Sequence, residues 1–184
     1  MRFLLLAAVL MGSMWILNDN GAFQGLDDYF WKTSRFTTAE DQELQIELPV
    51  KMQYLHDPDE GYNVSQAEGD HIFVDLHSEN LYLEKDRKKY MQEEPHKRVY
   101  KIIDKYKVQN VELTSQKNEV INHIPLRRFH FIGQQGGNDV EVEVVAFSRK
   151  NLGYFFTFLY DTGDQEAERQ VQKGIESLKY VKRS

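Results

Sequence analysis

The chain has 184 residues, a formal net charge of −6 at pH 7 and no cysteine. It therefore carries no disulfide, thiolate metal ligand, cysteine nucleophile or lipidated cysteine. Its acidity argues against bulk nucleic-acid binding, which needs a basic face, and its length allows one well-cored domain plus an appendage.

Arg2 precedes an uncharged, mostly apolar run from Phe3 to Leu17. A bilayer-spanning helix needs about 20 such residues. The run therefore predicts a signal peptide within residues 1–22, with an uncleaved signal-anchor tethered through residues 3–17 as the alternative. Residues 23–33 read as an aromatic linker, and 34–184 as a single globular domain. In 34–54 Leu44, Ile46 and Leu48 alternate with Gln45 and Glu47 before Pro49, which predicts a hairpin turning at Ala39 to Gln42. Residues 56–70 are rich in Asp, Gly and Pro and read as a polar loop. Asp57, Asp59 and Glu68 fall at positions 1, 3 and 12 of an EF-hand-like count, but Gly61 and Tyr62 stand where a ligand and the glycine belong.

The segment "HIFVDLH" (71–77) predicts a strand with His71, Phe73, Asp75 and His77 on one face. Zinc needs ligands converging at about 2 Å. Residues two apart on a strand are separated by about 7 Å, so His71 joins Asp75 and His77 only if the strand bends. No metal or other cofactor is expected. A charged helical piece over 83–94 precedes a helix from Pro95 to Lys107, with Val99, Ile102, Ile103 and Tyr106 on one stripe.

Strands follow at 111–116 and 119–124 around a turn, then at 126–133 and 140–147 around "GQQGGND", which reads as a hairpin loop. Residues 151–161 are apolar on both faces, with Tyr154, Phe156, Phe158 and Tyr160 on one and Phe155 and Leu159 on the other. Such a strand lies mid-sheet with cover on both sides. The last helix is predicted to begin at a Thr162–Gln165 capping box. Ala167, Val171, Ile175 and Leu178 form its apolar face, and Lys179, Lys182 and Arg183 stand at its negative end. The order gives an α+β domain with helices against a mostly antiparallel sheet.

No G-x-S-x-G, H-E-x-x-H or S-x-x-K motif and no phosphate loop is present. Glu141 and Glu143 alternate on one strand and read as its wet side. His123, Arg127, Arg128 and His130 lie close in sequence, with Arg128 and His130 on one face, and are candidate anchors for a polar or anionic ligand.

"LQIELPVKM" (44–52) resembles the strand-then-proline opening of PsbP-like domains, the group that includes DcrB-type bacterial envelope proteins. "INHIPLRRFHF" (121–131) is similar to that family's "-NG-P-" turn, with His123 where glycine is usual. Residues 151–181 resemble its closing strand, acidic linker and helix, followed by Ser177-Leu178-Lys179-Tyr180. The resemblance covers about residues 34–181. It implies an α/β/α sandwich with helices on both faces of a mostly antiparallel sheet, and non-enzymatic work on another protein or peptide. The expectation is an exported, monomeric or weakly associating accessory protein of a bacterial envelope, periplasmic or anchored in the inner membrane, with Arg127, Arg128 and His130 as contacts. The rival is a metal-dependent protein or enzyme using the His71/Asp75/His77 face or the His123–His130 cluster.

Overall fold

The computed structural model describes residues 31–37, 42–56, 63–80, 95–150 and 152–183. Residues 1–22, most of 23–33, Asp57 and Asp59, and the helical piece over 83–94 lie outside the described residues. The elements are β1 (Lys32–Thr37), β2 (Gln42–Leu48), β3 (Gln53–His56), β4 (Asn63–Glu68), β5 (Phe73–Asn80), α1 (Pro95–Lys105), β6 (Gln109–Ile121), β7 (Ile124–Gln135), β8 (Asn138–Arg149), β9 (Leu152–Asp161), α2 (Gln165–Ser177) and β10 (Lys179–Lys182). Seven strands form a sheet of order β3-β4-β5-β9-β8-β7-β6, and three form a second of order β1-β2-β10.

Side chains along β9 go alternately to two apolar clusters. Tyr154, Phe156, Phe158 and Tyr160 join Leu44, Ile46 and Leu48 of β2 and Ala167, Val171 and Ile175 of α2. Phe155 and Leu159 join Phe129 and Phe131 of β7 and Val99, Ile102 and Ile103 of α1. α2 approaches β2 closely because residue 174 is glycine: a Cβ there would stand 3.0 Å from Leu48 Cδ2. Ser177 Oγ accepts from the Glu47 amide at 2.8 Å and fixes the same contact.

The structure corrects three local expectations. The polar loop 56–70 contains β4, which pairs antiparallel with β3. Its side chains are mostly polar because it lies one strand from the sheet edge. The turn expected within 116–119 is absent; β6 runs unbroken from Gln109 to Ile121 and turns at Asn122–His123. Both turn residues have left-handed φ, 47° and 66°, the type I′ geometry that matches strand twist. Asn122 Nδ2 donates to the Glu176 and Leu178 carbonyls, each at 2.9 Å, tying the turn to the end of α2. The cap of α2 is Asp164 rather than Thr162, since Gly163 at φ 82° turns the chain first. Lys179 and Lys182 stand just past the end of α2, as expected, and lie in β10, antiparallel to β2.

Asp164 Oδ1 accepts from the Glu166 and Ala167 amides at 3.0 Å, and Oδ2 accepts from His71 Nδ1 at 2.8 Å. The His71 bond, then the helix amides, hold the Asp164 carboxyl below its ordinary range; the same bond raises His71. Asp164→Ala should cost about 1 kcal/mol, the usual worth of such a cap. The carboxylate's share is complete above its unfolded pKa and lost as pH falls through its depressed folded value. The share of His71 is complete below its unfolded pKa and lost as pH rises through its raised folded value. Urea titrations across pH should show the gap between wild type and variant widest in mildly acid solution. In the hairpin, His123→Gly should raise the urea midpoint, by up to about 1 kcal/mol in stability, by relieving a left-handed non-glycine residue.

Candidate functional site

Strand alternation sends Arg128 and His130 of β7, Glu141 and Glu143 of β8 and Tyr160 of β9 to the face that carries α2. Phe129, Phe131, Val142 and Val144 go to the other. Ser115 and Lys117 of β6 join the first group because they pair with His130 and Arg128. Together with Glu168, Arg169 and Gln172 of α2 they line a cleft of about 710 Å³.

The ion pairs on its floor run diagonally between strands. His130 stands directly opposite Glu143 in the ladder, yet its Nε2 donates to Glu141 Oε2 at 2.9 Å, and Arg128 Nε donates to Glu143. Tyr160 OH donates to Glu141 at 3.2 Å, and Arg128 reaches across to Gln172 of α2 at 2.7 Å. Thr114 Oγ1 lies 2.8 Å from His130 Nδ1. Burial, then the neighbouring Glu141 charge, pushes the Tyr160 phenol up. Arg169 holds Glu166 with two bonds of 2.9 and 2.8 Å on the wall above. Acids and bases on the floor are thus satisfied by one another; they make a rigid, charge-patterned surface.

The structure brings Arg128 and His130 together and separates them from the rest of the expected cluster. Arg127 points to the opposite side of β7 and donates to Asn118 at 3.0 Å, and His123 sits in the turn. Glu141 and Glu143 are not a wet strand side: Glu143 is 4% exposed. Their sequence signal was two acids interrupting an otherwise apolar strand, opposite Arg and His at the same parity on the preceding one. Nothing comparable in the sequence marked Tyr160, Lys117 or Gln172.

The face from His71 to His77 does not hold together either. β5 begins at Phe73, so alternation does not reach His71, which turns to Asp164 at the start of α2. Asp75 and His77 are buried. Asp75 accepts from Tyr106 OH beyond the end of α1, and the His77 ring lies 6.3 Å from that of Phe155. Burial pushes the Asp75 carboxyl up, against the Tyr106 hydrogen bond. Among the described residues no three His, Asp or Glu side chains are placed to hold a metal ion.

Among solved structures the chain is similar to cyanobacterial PsbP (CyanoP) from Synechocystis sp. PCC 6803. The TM-score is 0.57 and the identity 9%, over 82% of this chain and 92% of that one. The fold is PsbP-like. Other solved structures resemble it more weakly, with TM-scores below 0.5. PA94 of Pseudomonas aeruginosa scores 0.45 at 12% identity, over 80% and 96% of the two chains, and the Ran-binding protein Mog1p of Saccharomyces cerevisiae scores 0.46 at 8%, over 81% and 95%. No protein-family model matches the sequence, and no curated protein does.

The buried pair makes a sharp test. Arg128→Ala leaves the Glu143 carboxylate buried and unpaired, which typically costs about 3–5 kcal/mol. Replacing both residues with apolar ones of similar volume (Arg128→Met with Glu143→Leu) should recover most of that loss in thermal or urea unfolding. A double variant as unstable as the single one would show that the pair is not what Arg128 supports.

Proposed function

We propose that this PsbP-like domain is a non-enzymatic binding or accessory protein of a bacterial cell envelope, of the DcrB type, which recognises another protein or an extended peptide in the cleft between β6–β9 and α2. The carrying observation is the mutual satisfaction of Arg128, Glu143, His130, Glu141 and Tyr160. Groups paired this way present fixed charges to a partner, and the Thr114 hydroxyl beside His130 Nδ1 donates to the His130 carbonyl at 3.0 Å. The cleft also adjoins β6, an edge strand of thirteen residues. An extended chain added to such an edge gains main-chain hydrogen bonds and drops alternate side chains toward the floor. Lys117 and Arg169 are the cationic contacts at its margins, while Arg128 and His130 set the floor.

In the same reading residues 1–22 direct export or stay as an anchor, 23–33 link, and 34–184 act as one domain, monomeric or weakly associating, with its layers stacked as an α/β/α sandwich. Among the described residues no helix is long and apolar enough to cross a membrane, so any tether is assigned to residues 3–17. Support for export is the Phe3–Leu17 run behind Arg2.

A photo-crosslinking side chain at Ser115 should give one dominant protein or peptide adduct in native envelopes, weakened about ten-fold by Arg169→Glu, the effect of losing a contact typical of an interface arginine. The reading fails if Val120, exposed on the other side of β6, crosslinks equally. It fails also if fractionation leaves the full-length chain free in the cytosol, or if the purified protein turns over generic ester, phosphate or peptide substrates and loses that activity in folded His130→Ala.

A further inference from the structure

A second cavity, of about 420 Å³, lies on the far side of the α2-bearing face, between β1 of the small sheet and strands β3, β4, β5 and β9. Its floor is apolar: Leu76 and Met52 are buried there, and Phe36, Leu152 and the Tyr54 and Tyr154 side chains also line it. Ser34 Oγ accepts from the Met52 amide at 3.0 Å and holds β1 against the start of β3, so the cavity has a fixed wall.

Two hydroxyl-bearing residues of this lining matter. Tyr154 is 2% exposed, and its hydroxyl is buried with no hydrogen-bond partner among the described residues. Ser65 is 6% exposed and lines the same space. A buried hydroxyl left unpaired is costly, so Tyr154 calls for an acceptor, and Ser65 offers a second donor beside it. The rim is cationic. Arg35 is mostly exposed and touches Glu43 only at 3.8 Å, and Lys51 is exposed with no carboxylate partner among the described residues.

We propose that this cavity binds a single-chain anionic amphiphile: an acyl chain on the Leu76–Met52 floor, an ester or amide carbonyl accepting from Ser65 and Tyr154, and a phosphate or carboxylate between Arg35 and Lys51. Each part answers a separate feature. Met52, Leu76, Leu152 and Phe36 give the lining an apolar stretch that suits a hydrocarbon chain. Paired hydroxyl donors favour a carbonyl, and the two rim cations select an anion over a zwitterion. The volume lies in the range of small-ligand sites. This site shares no residue with the β6–β9 cleft, and the proposal does not depend on that reading.

The test is a binding titration of the purified protein with monodecanoyl glycerophosphate, followed by backbone-amide NMR. Saturable one-to-one binding is expected, with shifts at Lys51, Ser65 and Leu76. Monodecanoyl glycerol, which lacks the charge, should bind about ten-fold more weakly, and glycerol phosphate, which lacks the chain, should not saturate. Lys51→Glu, an exposed change, should weaken binding about ten-fold, and Ser65→Leu, which fills the cavity, should abolish it. Should Ser65→Leu fail to fold, Lys51→Glu alone decides. Binding to phosphatidylglycerol vesicles that is lost in Lys51→Glu would mark a lipid drawn from a bilayer; binding to the monomeric probe alone would mark a free amphiphile. Equal affinity for the uncharged probe, no effect of Lys51→Glu, or shifts centred on Arg128 and His130 would overturn the proposal.

Discussion

A strand that is apolar on both faces must be covered on both, and β9 imposes that condition on the whole domain. It lies between β5 and β8 with paired neighbours along its length. Phe156 and Phe158 draw β2 and α2 onto one side, while Phe155 and Leu159 draw α1 onto the other. Burying one such side chain is worth about 1.5–3 kcal/mol, so the aromatic run along β9 is the main free-energy source around which the other elements assemble.

Both clefts follow from that arrangement. The cover of α2, β2 and β10 is centred on β9, and the sheet extends beyond it in each direction. Toward β6 the exposed floor becomes polar, and the strand pairing sets cations beside acids. Toward β3 and β4 the floor stays largely apolar, with cations at the rim. The two flanks of one face thus differ in chemistry because the side chains of the outer strands no longer serve the core. Beneath α1 the polar residues have a third fate: Asp75 and Tyr106 bond to each other and anchor the end of that helix to the sheet.

Where the apolar pattern was strong, the sequence was legible. The two-faced run at 151–161, the stripe of Val99, Ile102 and Ile103 and the apolar face of α2 each correspond to an observed element. Failures came where the pattern is silent. β4 carries Asn63, Ser65, Gln66 and Glu68, so its pairing is recorded only in its backbone. The Ser115–Glu119 stretch of β6 looks like a turn because an edge strand can be polar on both faces. The floor of the cleft depends on diagonal partners across three hairpins, which linear spacing does not reveal. Arg128 and His130 could be read as sharing a face; their carboxylates could not be matched to them.

The last described strand has a kinetic consequence. β10 completes the small sheet by pairing with β2, and the Lys179–Glu47 ion pair joins residues 132 apart in sequence at 3.3 Å. Such separations slow folding, because loop-closure entropy is spent before the contact forms. A chain emerging from its N-terminus would carry β2 paired on its β1 side only until the final strand arrived. Vectorial synthesis or threading would therefore complete the small sheet last.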